Sequence, residues 1–195
     1  IKSRIQMTYK KVNCILEENV VSEGYEDYTD SLALMAELAS ILRKNKEERG
    51  YIDFDIDEAK IIVNEDGEAI DVVKRERGVG EKLIEDLMIA ANEIVSETIE
   101  SMGLSFIYRI HEKPKSKKME NFMKMSEHLG YRCNFSSLKV SPKELQKLME
   151  NVEDESQKKI MSMMMLRSLA KARYFSQNLG HFGLASSSYT HFTSP

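Results

Sequence analysis

Three aspartates at alternate positions, Asp53, Asp55 and Asp57, are the first residues whose spacing suggests chemistry. On an extended strand they share one face, and three hard oxygen ligands suit magnesium or calcium. A calcium-loop pattern fails, because Glu58 stands where glycine is required and Asn64 where a bidentate glutamate belongs. Ile52, Phe54 and Ile56 alternate with them, so the preferred reading is a strand with one buried and one solvated face. Gly78-Val79-Gly80 ahead of a helix is the second candidate. A helix N-terminus offers free N–H groups to a phosphate, and Arg75 and Arg77 flank it. The lysine and hydroxyl residue of a P-loop are missing, so a hinge or cap is preferred.

No Ser-His-Asp or Cys-His set assembles by spacing, but His111, His181 and His191 lie in segments that can converge. The last fifteen residues, HFGLASSSYTHFTSP, are rich in rings and hydroxyls and poor in charge. Side chains of this kind stack on rings and donate hydrogen bonds, so the segment is expected to form a ligand-contacting surface rather than a solvated tail. Both ends, Ile-Lys-Ser-Arg and Thr-Ser-Pro, read as cut points. The methionines at 161 and 163–165 read as core filler.

The 195 residues suit one large domain or part of a larger one, with 42% hydrophobic residues for a core and 31% charged residues for a solvated surface. Cys14 and Cys133 offer no disulfide framework and no zinc spacing, which fits reduced thiols in a cytoplasmic protein. No run approaches the roughly 20 apolar residues that a membrane span requires. A net charge of −4 argues against nucleic-acid binding by bulk charge, so any nucleic acid would have to be held locally.

Periodicity predicts helices over about 4–17 and 29–48, the latter burying Leu32, Leu34, Met35, Leu38 and Ile41. Tyr51–Asp57 alternates as a strand, and 61–64 with 69–73 read as a hairpin about Glu65-Asp66-Gly67. A long helix follows at about 81–102, its stripe formed by Ile84, Leu87, Met88, Ala91, Val95, Thr98, Ile99 and Met102, with Asn92 on the shoulder. FIYRIH (106–111) is a short strand, the lysine-rich 112–118 leads into a helix ending at Gly130, and Ser141-Pro-Lys-Glu144 is a capping box. The final helix, about 155–173, carries apolar residues on nearly every side and should be buried centrally.

These segments then become specific in combination. SRIQMTYKKV, ELASILRKNKEERGYIDFD, GEKLIEDLMIAANEIV, FIYRIHEKP, MLRSLAKARYFSQNLGHFGLAS and YTHFTSP follow one another in order. Together they resemble the catalytic (RNB) domain of the ribonuclease II/R family, its R branch most closely, over essentially the whole chain. The resemblance implies an α+β fold: an incomplete RNB-type catalytic domain over residues 1–195, with several helices packed on mostly antiparallel strands. It implies a processive hydrolytic 3′-to-5′ exoribonuclease that releases nucleoside 5′-monophosphates from single-stranded RNA with Mg2+. The family's metal aspartates are expected upstream of this chain and an arginine pair after Pro195, so the chain alone is expected to be inactive. Flanking OB-type RNA-binding domains are also implied. By the same resemblance Tyr108 or Phe106 would supply a base-clamp aromatic, and Arg109 and His111 backbone contacts. Asn92 would bond a ribose or order the strand, while His181, Tyr189, His191, Thr193 and Ser194 would line the approach to the scissile phosphate. The rival reading is a stand-alone, non-catalytic helical interaction or RNA-binding module on the same scaffold.

Overall fold

The computed structural model describes residues 5–54, 59–74 and 77–193. The chain forms two compact units, one within residues 1–44 and 57–90, the other within 45–56 and 91–194.

In the first unit, helix α1 (Tyr9–Glu18) begins at Thr8, whose hydroxyl caps Lys11 N–H, rather than at Arg4 as its periodicity predicts. Val12 and Ile15 pack against Tyr25 and Leu32 in a small core. Helix α2 (Thr29–Arg49) starts where its Thr-Asp opening predicts, but Leu34, Leu38 and Ile41 are exposed. The buried positions are Leu32, Ala39 and Lys46, seven residues apart on a neighbouring face. Strands β1 (Ala59–Val63) and β2 (Ala69–Lys74) form the predicted antiparallel hairpin, with Ile61 opposite Val72. Its turn is held by the Asn64 side chain, which accepts from the N–H groups of Asp66 and Glu68.

In the second unit three helices make the core. Helix α4 (Ser116–His128) buries Met119 and Phe122; α5 (Pro142–Glu150) buries Leu145, Leu148 and Met149; α6 (Glu155–Ser168) buries Met161 and Met165. The capping box at Ser141 and Glu144 is formed in both directions, as its sequence predicts. Gly50 lies at φ +106°, and a Cβ there would meet the backbone nitrogen of Lys143 at 2.7 Å, so both conformation and space require glycine. The carbonyls of Glu47 and Glu48 at the end of α2 accept from Gln146 Nε2 and Lys143 Nζ of α5.

Three further expectations change. Residues 51–54 do not form a strand, although Ile52 is buried, Phe54 packs on the core and Asp53 is exposed, as alternation requires. Asp55 and Asp57 lie outside the described residues. Helix α6 is shorter than 155–173 and only one face is buried: Ile160, Met163 and Leu166 are exposed. Leu169 turns extended at its end, freeing residues 173–175 to form strand β4 (Arg173–Phe175). This strand pairs antiparallel with β3 (Tyr108–Ile110), Arg109 opposite Tyr174.

Helix α3 (Val79–Ser101) carries the third correction. Its buried positions are Leu83, Asp86, Ile89, Asn92 and Ser96, one step round from the apolar stripe, and Asn92 lies at the centre of that face. Polar residues bury there because each finds a partner, which hydropathy cannot register. The fold is α+β with antiparallel strands, and its larger core is helix on helix.

Candidate functional site

Strand β3 is held on both edges. On one side lies β4; on the other the segment after Asn178 folds back along it. Arg109 N–H donates to the Tyr189 carbonyl at 2.8 Å, and His111 N–H to that of Gly180 at 3.0 Å. Phe182 N–H donates to the His111 carbonyl at 2.8 Å, and the Thr190 hydroxyl to that of Ile107 at 2.8 Å. The Ser/Thr-rich run is therefore mostly internal structure: Ser186, Ser188, Tyr189 and Thr190 are buried. This corrects the expectation of a ligand-contacting surface throughout; composition announced polarity, and much of that polarity is satisfied inside the protein.

The rings converge. Edge-on contacts link Phe182 to His111 (6.2 Å between centroids), His111 to His181 (5.1 Å) and His181 to Tyr189 (5.1 Å). They continue from Tyr189 to His191 and from His191 to Tyr174, both at 5.8 Å. Edge-to-face geometry places a ring's positive rim on its neighbour's negative face. At the outer end the Arg109 guanidinium lies 4.7 Å from the centroid of the Tyr174 ring, and the Tyr174 hydroxyl bonds His191 Nδ1 at 3.0 Å. Tyr174 is 57% exposed, and His191 and Phe192 are exposed beside it.

His111 and His181 are held neutral. Gly183 N–H donates to His111 Nδ1 and Leu184 N–H to His181 Nδ1, which places the ring proton of each on Nε2. Burial, with a smaller contribution from Arg109, pushes His111 down against an opposing interaction with the Ala170 backbone. His181 is pushed down to about 3, by burial first and then by the adjacent His111. Burial and then Arg109 lower His191 as well. An unfolded chain takes up a proton on His181 as pH falls through 6.5, whereas the folded chain does not until about 3. The contribution of His181 to stability is therefore flat above 6.5 and falls between 6.5 and 3, by about 1.4 kcal/mol per pH unit well inside that window. Urea midpoints compared at pH 7.5 and 5.5 check this before most carboxylates titrate; equal midpoints would remove the buried neutral histidines.

Asn92 is 0% exposed and fully bonded. Its Nδ2 donates to the Tyr189 hydroxyl at 3.1 Å and the Thr193 carbonyl at 3.0 Å. Its Oδ1 accepts from Thr193 N–H at 2.6 Å and from the Thr193 hydroxyl at 3.3 Å. Two donors and two acceptor sites are thus used, leaving none for a ribose. Of the two readings for this residue, strand ordering is the one the geometry supports. Tyr108 is 5% exposed, with Phe106 edge-on at 5.9 Å; of this pair only Phe106 keeps appreciable surface.

Asn92, Tyr108, Arg109, His111, His181, Tyr189, His191 and Thr193 therefore share one neighbourhood, and Ser194 lies outside the described residues. Tyr174 was missed, because residues 169–173 read as a continuing helix; the adjacent strand formers Tyr174 and Phe175 were the available signal. Gly78-Val79-Gly80 is a cap. The N–H groups of these three residues already donate to Glu81, Glu17 and Asn13 respectively, two of them carboxylates, so no phosphate is invited. Among the described residues no three His, Cys, Asp or Glu come together as metal ligands, and no helix is long and apolar enough to cross a membrane.

The family model described as the RNB domain matches residues 1–195. Ribonuclease R of Thermotoga maritima is 44% identical over all of this chain, which spans 28% of that protein. Ribonuclease R 1 of Lactococcus lactis is also 44% identical over the whole chain, which spans 24% of it. The experimental structure of Mycoplasma genitalium RNase R in complex with ribose methylated single-stranded RNA superposes with a TM-score of 0.89 at 29% identity, covering 96% of this chain and 29% of that one.

Proposed function

The chain belongs to the RNB-domain family, and from that membership we propose that it is the RNA-holding part of the catalytic domain of a processive, hydrolytic 3′-to-5′ exoribonuclease. The whole protein releases nucleoside 5′-monophosphates from single-stranded RNA in the cytoplasm. One observation carries the reading for this chain: Arg109, Tyr174 and His191 form an open platform on a buried ring stack, beside the bonded Thr193.

Each group has a task on RNA. The Tyr174 ring stacks on a base regardless of its identity, which suits a degradative enzyme. Arg109 is a permanent cation, able to grip a phosphate while it covers the tyrosine ring. Neutral His191 offers a hydrogen bond rather than a charge, so grip should change little between pH 7 and 8. His111, His181 and Tyr189 support the platform from beneath. The complex of the Mycoplasma genitalium relative with single-stranded RNA supports this partner.

Magnesium belongs to the proposal for the whole protein, where it would stabilise the attacking water and the leaving oxygen. The described residues do not fit it, since no ligand cluster forms among them, and their contribution is grip and placement. The aspartates, the arginine pair and the OB-type domains are proposed for the remainder of the protein.

The test compares the full-length protein with the 195-residue chain on a 5′-labelled single-stranded oligonucleotide in magnesium buffer. Full-length protein should shorten the RNA stepwise from its 3′ end and release mononucleotides; the chain alone should release none. A full-length protein without 3′-end shortening removes the exonuclease reading and leaves the non-catalytic binding module. Mononucleotide release by the chain alone removes the claim of incompleteness.

A further inference from the structure

We propose that Asn92, Ser96 and Glu100 form a register rail on α3 that fixes where residues 178–193 lie along the helix, making Asn92 a positioning residue for His191 and Thr193. The functional consequence rests on the RNA-binding reading above; the rail itself does not.

Residues four apart fall on one helix face, spaced about 6 Å along the axis. Each of these three takes a partner in the folded-back segment. Asn92 holds Tyr189 and Thr193, and Ser96 Oγ meets Ser188 Oγ at 2.6 Å. Glu100 accepts from Asn178 Nδ2 at 2.8 Å, and the same Nδ2 lies 2.9 Å from the Ser187 carbonyl. The partners run backwards along the chain as the helix runs forwards, so the two are laced antiparallel.

The lacing solves a problem set by the sequence. Ser186, Ser187 and Ser188 are identical, and a slide by one residue would offer Ser96 another hydroxyl of the same kind. Backbone hydrogen bonds to β3 do not distinguish the registers by residue type. Asn92 does: its two donors and two acceptors match the far-reaching Tyr189 hydroxyl and three groups of Thr193, whereas a one-residue shift would put either Phe192, which has no hydroxyl, in place of Thr193, or the much shorter Thr190 in place of Tyr189. A leucine at 92 would bury more apolar surface and specify nothing, whereas a buried polar group left unmatched is costly. Asn92 thus acts on the platform through Thr193 and Tyr189, without a free group for RNA.

The experiment uses the full-length protein with Asn92→Asp, which keeps the shape and the acceptor but turns an oxygen toward the Thr193 carbonyl. Hydrogen exchange of residues 187–193 should accelerate about 10-fold or more, with α5 and α6 unchanged, as expected for one unmatched buried group. On single-stranded RNA, kcat should fall about 10-fold or more, with KM within about twofold. Unchanged exchange at 187–193 overturns the rail whatever the activity. A raised KM with unchanged kcat, at unchanged exchange of 187–193, overturns positioning and makes Asn92 a ligand contact. If the wild-type protein has no nuclease activity, the functional reading fails and exchange alone still decides the rail. Should Asn92→Asp not fold, Ser96→Ala carries the same exchange test at 187–189, and unchanged exchange there overturns the rail.

Discussion

Tyr174→Ala in the full-length protein is expected to weaken binding to a single-stranded RNA 3′ end by about 5- to 150-fold, the equivalent of about 1–3 kcal/mol for one lost base stack. The ring is 57% exposed, so its removal opens no interior cavity, and folding should survive. Its neighbours define the comparison. Arg109 covers the ring and His191 bonds its hydroxyl, so Tyr174→Phe loses only the hydrogen bond and should lie much closer to wild type. Fluorescence anisotropy at one fixed salt concentration measures all three proteins, because phosphate contacts make any affinity salt-dependent. Equal affinity for Tyr174→Ala and wild type would take this residue off the RNA path.

Phe122→Ala is expected to destabilise the second unit by about 3–5 kcal/mol, the range for emptying a buried phenyl site. Phe122 is 1% exposed in the cluster that joins α4, α5 and α6, with Met119, Leu145, Met161 and Met165 equally enclosed. At about 2–4 °C per kcal/mol for a protein of this size, the midpoint should fall by roughly 6–20 °C. Met163→Ala, on the open side of α6 at 52% exposure, should stay within about 0.5 kcal/mol. Similar losses for the two variants would contradict a helix-on-helix core with only one face of α6 inside.

Much of this was legible in the residues themselves. The capping box at Ser141, the hairpin about Gly67 and the stop at Gly130 all formed where local chemistry placed them, because each depends on neighbours a few residues away. The errors share the opposite cause. The buried face of α3 was misplaced because Asn92, read on the shoulder of the apolar stripe, and Ser96, left out of it, find their partners only in residues 188–193. The length of α6 was overstated because a run of methionine and leucine reads as buried whether or not anything covers it. Strand β4 has three residues, too few for a period, so Tyr174 drew no notice just past the end of the helix read to 173. The family resemblance brought most of the site residues together on paper, but could not say which are wall and which are support. Burial did that, assigning Tyr108, His111 and Tyr189 to the interior and Tyr174 and His191 to the surface.

The lacing between α3 and the folded-back segment also has a clock in it. Asn92 waits for partners 97 to 101 residues later in the chain. At a synthesis rate of about 5–20 residues per second, that is a delay of roughly 5–20 s. Throughout it, Asn92 and Ser96 have yet to meet their partners and stand open to water and to other nascent chains. Had these two positions been leucine and isoleucine, the interval would be an aggregation hazard. Asparagine and serine wait at little cost, hydrated until Ser188, Tyr189 and Thr193 replace the water.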